Sequence, residues 1–457
     1  MRNPEVDAYV ETAMLFARDR EMELAIEYLG MALEITPDDP QLLYLSGSAK
    51  YMIGDDPGAI EDLNRAIELN RKNALAYIYR GAAKGALGNH WEGIKDLNIG
   101  IKLAPKSALA YYHRGEEYQY NKEGEIFGKG ADLQKAISDF DWAIKLDPKN
   151  AQYWYLRGRV KVHSTGFKPD IIMADYDKAI ELAPDFARGY FGRGTYKAEL
   201  KDYAGAIEDL NKSIELDTEY ALAYSNRGMA KKLSHDFAGA LVDFDKAVEL
   251  EPENGQFYFN RGSLKGCIDE IPYEDQIADL NKALELSPDE PEVYYIRGVS
   301  NRDFGFYEKA IEDFERAREL RDGHANTHYY LAHCKAKVSK YSVEERLRDY
   351  DRAAELDCDK HECYIERGFL RLLTEDYTGA LADAYKLIED APEMLEAYEL
   401  AIRVNYNVGN RAGARRIVNK SLAVDPDFEF GLKAKKLLDE EDSKRSKYAL
   451  WEPPPNW

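Results

Sequence analysis

Small and apolar residues recur along this chain at helical spacing, in paired segments that return about every 34 residues. Residues 187–220 represent one such unit, with a polar turn at residues 201–203 between its two segments. The residues that mark the two helical faces are Tyr190, Gly194 and Lys197, then Ala206, Leu210, Ser213 and Leu216. This spacing predicts two amphipathic helices of about 12 to 14 residues joined by a short loop.

Counted from Val6, twelve units cover residues 6–428. Eight units have 34 residues, three have 36, and the fourth has 43 because of an insertion near residues 121–130. The units begin at residues 6, 40, 74, 108, 151, 187, 221, 255, 291, 325, 361 and 395. A fixed period of this length predicts one stacked array, in which each unit buries its apolar face against its neighbours.

Within a unit, four kinds of position carry the pattern. Position 4 is usually aromatic, position 8 is small, alanines occur near positions 20 and 27, and position 32 is often proline. The small residues predict close approach of paired helices, and the aromatic residue at position 4 is expected to supply the bulk that fills the space. Proline at position 32 predicts the end of the second helix, because it lacks an N–H and has a fixed φ.

This aromatic, small, small, Ala, Pro pattern resembles the tetratricopeptide repeat family over residues 6–428. The resemblance implies an all-α fold, a right-handed α-solenoid (superhelix) of helix-turn-helix units. The first and last units lack the Arg-Gly pair of the inner ones, as expected for caps. Residues 429–446 are predicted to form a further capping helix, and the Pro-rich residues 447–457 a non-helical tail.

Eight units contain Arg-Gly at positions 7 and 8, and all eight also have Asp at position 23. A ladder of arginines could bind an anionic partner, but this covariation favours charge-assisted Arg–Asp pairs across a helix interface. The Asp could belong to the same unit or to the preceding one. The first arrangement leaves Asp62 and Asp349 without an Arg, and the second leaves Asp313 and Asp383.

The chain has 62 basic and 84 acidic residues, a formal net charge of −22. This excess opposes non-specific contact with nucleic acid or anionic lipid and favours a basic or neutral protein partner. The sequence contains no run of 18 apolar residues and no signal-peptide pattern at its start, so we expect no membrane insertion and a cytoplasmic location. Four cysteines do not make a disulfide framework.

The residues whose spacing resembles a metal site or a nucleotide site are each better explained as parts of the repeat structure. Cys358, His361 and Cys363 have spacings that can hold zinc, but Cys363 occupies an inward packing position, so no metal is predicted. The 121–130 insertion departs from a phosphate-binding loop in spacing and context. We therefore predict no cofactor, no catalytic residue and no enzyme activity. Ile126 and Phe127, at the tip of the insertion, are expected to be exposed and to contact a partner.

The family resemblance implies that the first helix of each unit lines a concave groove through positions 2, 5, 6, 9, 12 and 13. Position 5 carries a stripe of aromatic residues, most continuous from the fourth to the tenth unit. The predicted partner-binding residues are Tyr112, Tyr155, Arg159, Phe191, Asn226, Phe259, Asn260, Tyr295, Arg302 and Tyr329. The carboxylate clamp of chaperone-binding family members is not matched, so chaperone tails are not expected as ligands.

The sequence thus predicts a non-enzymatic scaffold whose groove binds a peptide or helix of a partner protein. An alternative is an assembly or regulatory subunit of a larger enzyme or secretion complex, which would make contact through the array edge, the 121–130 loop or the C-terminal tail. Trp451 and Trp457 suggest that the tail docks, on this chain, on a second copy or on a Pro-recognising domain. Docking on a second copy would make the chain self-associate through its tail.

Overall fold

The computed structural model describes residues 3–268, 270–358 and 360–440. Within these ranges the chain forms twenty-five α-helices and one isolated bridge between Tyr120 and Ile126, so the predicted all-α fold is confirmed. The helices are α1 (Pro4–Arg18), α2 (Met22–Ile35), α3 (Pro40–Met52), α4 (Asp56–Leu69), α5 (Ala74–Ala86), α6 (His90–Leu103), α7 (Ala108–Glu117), α8 (Leu133–Leu146), α9 (Ala151–Val162), α10 (Pro169–Leu182), α11 (Ala187–Glu199), α12 (Tyr203–Leu216), α13 (Ala221–Leu233), α14 (Phe237–Leu250), α15 (Gly255–Lys265), α16 (Tyr273–Leu286), α17 (Pro291–Asp303), α18 (Tyr307–Leu320), α19 (Ala325–Ala336), α20 (Val343–Glu355), α21 (His361–Leu373), α22 (Tyr377–Asp390), α23 (Leu395–Asn407), α24 (Arg411–Val424) and α25 (Glu429–Asp439).

The chain divides into an N-terminal half (Met1–Asp236) and a C-terminal half (Phe237–Trp457). Odd-numbered helices up to α23 are the first helices of the predicted units, and even-numbered helices are the second. In the N-terminal half, α3 contacts α5, α5 contacts α7, α9 contacts α11, and α11 contacts α13. In the C-terminal half, α17 contacts α19, and α21 contacts α23. Neighbouring first helices therefore share a surface within each half.

The ends of the helices follow from local sequence. Eight of the twelve second helices stop two residues before a proline, as at Leu182 before Pro184, because the proline ring cannot continue the helix. The predicted C-terminal helix is present as α25 up to Asp439. Residues 441–446 and the predicted tail at 447–457, with Trp451 and Trp457, lie outside the described residues. The division of the array at the predicted unit boundaries stays a prediction.

A bulky side chain at position 24, on the second helix, packs against the glycine at position 8 of the first helix. A Cβ at Gly298 would lie 2.8 Å from the Phe314 ring, which is fully buried. The same arrangement joins Gly81 to Leu97, Gly115 to Phe140, Gly158 to Tyr176, Gly194 to Leu210 and Gly262 to Leu280. The expectation that position 4 supplies this bulk was wrong, because the second helix crosses its partner at position 8 and directs position 24 into the gap.

The aromatic residue at position 4 instead covers the arginine of the Arg-Gly pair. The Arg157 guanidinium lies 4.7 Å from the centre of the Trp154 ring, and seven other arginines lie 5.3–5.7 Å from the ring three residues before them. Such cation–π contact suits arginine, whose flat guanidinium is weakly hydrated. The residues at positions 4 and 7 thus form a cation–π pair in each of these eight units.

The predicted Arg–Asp pairing is confirmed in seven units, and the partner belongs to the same unit. Arg193 shows the geometry: Nε and Nη2 donate to both carboxylate oxygens of Asp209, at 2.9 and 2.6 Å. Its Nη1 donates at 2.7 Å to Asp177, on the second helix of the preceding pair. Equivalent bidentate pairs are Arg80–Asp96, Arg114–Asp139, Arg157–Asp175, Arg261–Asp279, Arg297–Asp313 and Arg367–Asp383. Each arginine therefore joins three helices.

A second cation completes most of these networks. Lys197, four residues after Arg193, lies 2.7 Å from the Asp209 oxygen that accepts from Arg193 Nε, and the lysines at the same position include Lys84, Lys161 and Lys265. The two aspartates at position 23 that have no Arg-Gly arginine in their unit also pair with other side chains. Asp62 accepts a hydrogen bond from Ser46 and pairs with Lys50, and Asp349 pairs with Lys335 and Arg318.

Candidate partner-binding surface

In the N-terminal half, the candidate surface consists of the exposed sides of α7, α9, α11 and α13. Tyr112 and Phe191 are partly exposed on it. The Phe191 ring lies 4.8 Å from that of Tyr220, and Asn226 donates a 2.9 Å hydrogen bond to the Thr195 hydroxyl. Three of the predicted groove residues therefore have side chains that a partner could reach.

Tyr155 differs from this group because it is only 5% exposed. Its ring packs edge-on against Phe186, at 5.6 Å between centroids, and tilted against Tyr176 at 6.2 Å. Gly192 leaves space for it, since a Cβ there would lie 2.9 Å from the Tyr155 ring. Tyr155 supports the surface from below and offers little of its own area to a partner.

The inserted loop folds onto the end of α9. Asn121 organises it: its side-chain oxygen accepts from the backbone N–H groups of Glu123 and Glu125, at 3.0 and 2.8 Å. Ile126 is 45% exposed, whereas Phe127 is only partly exposed and stacks on His163 with centroids 4.0 Å apart. The expectation of an exposed Phe127 at the loop tip is thus corrected, because the loop curls back and packs this ring against α9.

Arg159 lies where the loop meets α9. Its guanidinium is 5.7 Å from the Phe127 ring and 5.9 Å from the Tyr155 ring, and Nη2 donates a 2.7 Å hydrogen bond to the Gln119 side chain. The Nε atom is buried and has no hydrogen-bond partner. Among the described residues, no carboxylate pairs with this guanidinium.

A buried acid lies beside this region, and the sequence patterns did not indicate it. Glu117 is 7% exposed and its Oε2 lies 2.8 Å from His90 Nδ1, while the His90 ring stacks on Tyr120. A Cβ at Gly85 would collide with the Glu117 carboxyl group, so Gly85 makes room for it. Burial, together with the charge of Glu116, raises the pKa of Glu117 to about 8.

This raised pKa predicts a pH-dependent stability. The folded chain holds the Glu117 proton more tightly than the unfolded chain, where the ordinary value of 4.5 applies. Its contribution is therefore complete below about pH 4.5 and is lost as the pH rises through 8, by at most about 5 kcal/mol. We expect the melting temperature to fall between pH 5 and 8.5, and to fall less in Glu117→Gln. Equal slopes in both proteins would contradict this assignment.

In the C-terminal half, Phe259 lines a cleft of about 580 Å³ between α15, the end of α16 and the start of α17. Ala283 and Val293 give the cleft an apolar floor, and Glu251, Glu253 and Glu290 lie at its edge. Phe259 is partly exposed. Asn260 is buried and accepts a 2.9 Å hydrogen bond from Gln256, so its side chain stabilises the helix surface.

The remaining predicted residues form an aromatic cluster on α17 and α19. Tyr295 is partly exposed and contacts the His324 ring edge-on at 4.6 Å. Arg302 lies 4.0 Å from the Tyr330 ring centre and pairs with Asp303 at 2.6 Å. Tyr329 is 7% exposed and packs on Tyr330 and Tyr350. Like Tyr155, it supports the surface from beneath.

The Cys and His residues near α21 serve as packing groups. Cys363 and Cys358 are buried in one apolar cluster with Tyr350 and Tyr329, and His328 Nε2 donates a 2.9 Å hydrogen bond to the Asp322 carbonyl. In the described part of the chain, no group of three or more His, Cys, Asp or Glu side chains could hold a metal ion. The helices described there are also too short or too polar to cross a membrane.

Two segments of the chain, residues 121–161 and 187–220, match sequence profiles of the tetratricopeptide repeat. Among curated proteins, DnaJ protein P58IPK homolog B of Oryza sativa subsp. japonica is 28% identical over 96 residues, which are 21% of this chain and 20% of that protein. The chain thus matches about a fifth of the length of that relative.

Solved structures also resemble the chain. Yeast Tom70 aligns with a TM-score of 0.40 and 18% identity, covering 96% of this chain and 99% of that one. Pseudomonas aeruginosa pilF aligns with a TM-score of 0.43 and 19% identity, covering 46% of this chain and 94% of that one.

Proposed function

This chain is a tetratricopeptide-repeat protein, and we propose that it is a non-enzymatic scaffold that binds a peptide or helix of a partner protein on the surface of its first helices. The observation that carries the proposal is the set of partly exposed rings on that surface, Tyr112, Phe191, Phe259 and Tyr295. Aromatic side chains supply large contact area at low cost in rotamer entropy, so they dominate protein interfaces.

The chemistry around these rings supports an extended ligand. Asn226, hydrogen-bonded to Thr195 on the helix of Phe191, and the Arg159 guanidinium, beside Tyr155, offer donors on this surface. The Phe259 cleft has room for an apolar side chain. Binding sites commonly combine an apolar floor with a few polar groups that set orientation. The acidic edge of the cleft favours a ligand with a basic residue beside that side chain.

Capture of partners from a cell extract tests this proposal when groove and outer residues are compared. Phe191→Ala and Phe259→Ala each remove part of the proposed surface in one half. Trp142→Ala and Val242→Ala remove side chains that are 43% and 67% exposed on second helices. We expect the first two variants to lose partners that the wild type captures, and the last two to retain them. Loss of partners only in the outer variants would refute the proposal.

A further inference from the structure

Resting on that proposed function, we infer that the surface between α9 and α13 binds an acidic side chain of the partner peptide. Arg159 and Arg188 would be the residues that contact its carboxylate. The ligand class is thus an extended peptide with an Asp or Glu placed between apolar or aromatic residues.

The first observation is the lack of a carboxylate beside Arg159. Acidic residues exceed basic ones by 84 to 62 in this chain, and the arginines of the Arg-Gly pairs are held by buried aspartates. Arg159 has only a neutral amide oxygen, that of Gln119, as partner. Its Nε is buried without a partner, and its Nη1 also has none and is not buried. A partly desolvated guanidinium with unused donors is well suited to a carboxylate.

The second observation is that Arg159 is held in place before any ligand binds. Phe127 and Tyr155 flank the guanidinium at 5.7 and 5.9 Å, and Gln119 fixes Nη2. Phe127 itself is held by the stack on His163. A preorganised side chain loses little entropy when a ligand binds, so more of its interaction free energy appears as affinity. The 121–130 insertion contributes directly to this arrangement through Phe127.

The third observation is a second cation whose charge reaches the Tyr220 phenol. Arg188, on α11, is exposed and forms no ion pair within the described residues. Burial raises the pKa of the Tyr220 phenol, the charges of Arg188 and Arg159 oppose this rise, and the charge of Asp217 adds to it, so both guanidinium groups are within electrostatic reach of the same hydroxyl. The ring of Tyr220 contacts Phe191, which places the two cations beside the proposed peptide surface.

The acidic residues near these arginines do not pair with them. Glu199, whose charge reaches the Tyr176 and Tyr196 phenols, forms no ion pair with either arginine in the described chain, and burial raises the pKa of its carboxyl group. Asp217 and Glu116, whose charges reach the Tyr220 and Tyr120 phenols, likewise form no ion pair with either arginine there. Both guanidinium groups are therefore available to a carboxylate of the ligand. Charge complementarity therefore selects an acidic residue at this point of the ligand.

Pooled nonapeptides provide the test. Three libraries carry Glu, Gln or phosphoserine at the fifth position and random Ala, Leu, Tyr and Ser elsewhere, and their affinity is measured for the full chain. We expect the Glu library to bind about tenfold more tightly than the Gln library, as a charged hydrogen bond in a partly desolvated site would give. In Arg159→Gln and in Arg188→Gln this preference should shrink to about twofold.

The control variant is Arg71→Gln, which removes an exposed arginine in the turn between α4 and α5 and should keep the full preference for Glu. Arg188 is exposed, so its variant tests the site even if Arg159→Gln disturbs the loop. Equal binding of the Glu and Gln libraries would overturn the acidic subsite and leave the proposed scaffold function intact. Failure of all libraries to bind would count against both. A phosphoserine preference above about tenfold over Glu, lost in both variants, would replace the carboxylate by a phosphate.

Discussion

Replacing Asp209 by alanine is expected to destabilise the N-terminal half by about 3–5 kcal/mol, because it leaves two partly buried cations without their buried counter-charge. Asp209 is 3% exposed and receives donors from Arg193 and Lys197. Urea denaturation followed by circular dichroism measures the loss. Hydrogen exchange of the amides in α11 and α12 locates it, which matters because repeat arrays can unfold in parts.

Asp177 is the matched control for this substitution. It pairs with the same Arg193 guanidinium through Nη1, but its side chain is 56% exposed. Asp177→Ala should therefore cost less than about 1 kcal/mol, as is usual for exposed pairs. Similar costs for the two alanine variants would show that burial does not decide the strength of this network.

Phe314→Ala should have an effect of similar size, about 3–5 kcal/mol, because it leaves a cavity against the backbone of Gly298. The Phe314 side chain is fully buried and stacks on Tyr330. The neighbouring helices cannot close the gap without moving Gly298 and its hydrogen-bonded turn. The free energy of unfolding of the C-terminal half, from urea denaturation, is the quantity to compare.

Phe304→Ala provides the same change of residue on the surface of the same half. Phe304 is 52% exposed, and its main contact is the Tyr273 ring at 4.9 Å. We expect a cost below about 1 kcal/mol. If Phe314→Ala were no more destabilising than Phe304→Ala, position 24 would not be the residue that fills the space above the glycine.

The helices and the Arg–Asp network could be predicted because the repeated units act as an internal alignment. Arg at position 7 and Asp at position 23 occur together, and a pair that varies together is in contact. The lysine at position 11 had the same signal, since Lys84, Lys161, Lys197 and Lys265 all stand four residues after the arginine and share its helical face. The partner of Nη1 could not be predicted, because it belongs to a different unit.

The candidate surface could be predicted only in outline. Helical spacing places Tyr112, Tyr155 and Phe191 on one side of their helices, but the packing of neighbouring units decides which ring stays accessible. Tyr155 is covered because Gly192 and Phe186 allow it to sink between helices.

Features that occur once in the chain left no periodic signal. The pairing of Glu117 with His90 depends on the space above Gly85, on another helix. The contact of Phe127 with Arg159 depends on how the insertion curls back onto α9.

The dissociation constant of a captured partner for two single variants tests the scaffold proposal most directly. Phe191→Ala alters the first-helix surface of the N-terminal half, and Trp142→Ala alters a second helix of that half. The dissociation constants are measured well below the melting temperature of both variants. Phe191→Ala should bind about 30-fold more weakly than the wild type, a loss of about 2 kcal/mol that is typical of an aromatic hot spot. The second should bind like the wild type. An unchanged dissociation constant for Phe191→Ala, or a loss confined to Trp142→Ala, would contradict the assignment of the first helices as the binding surface.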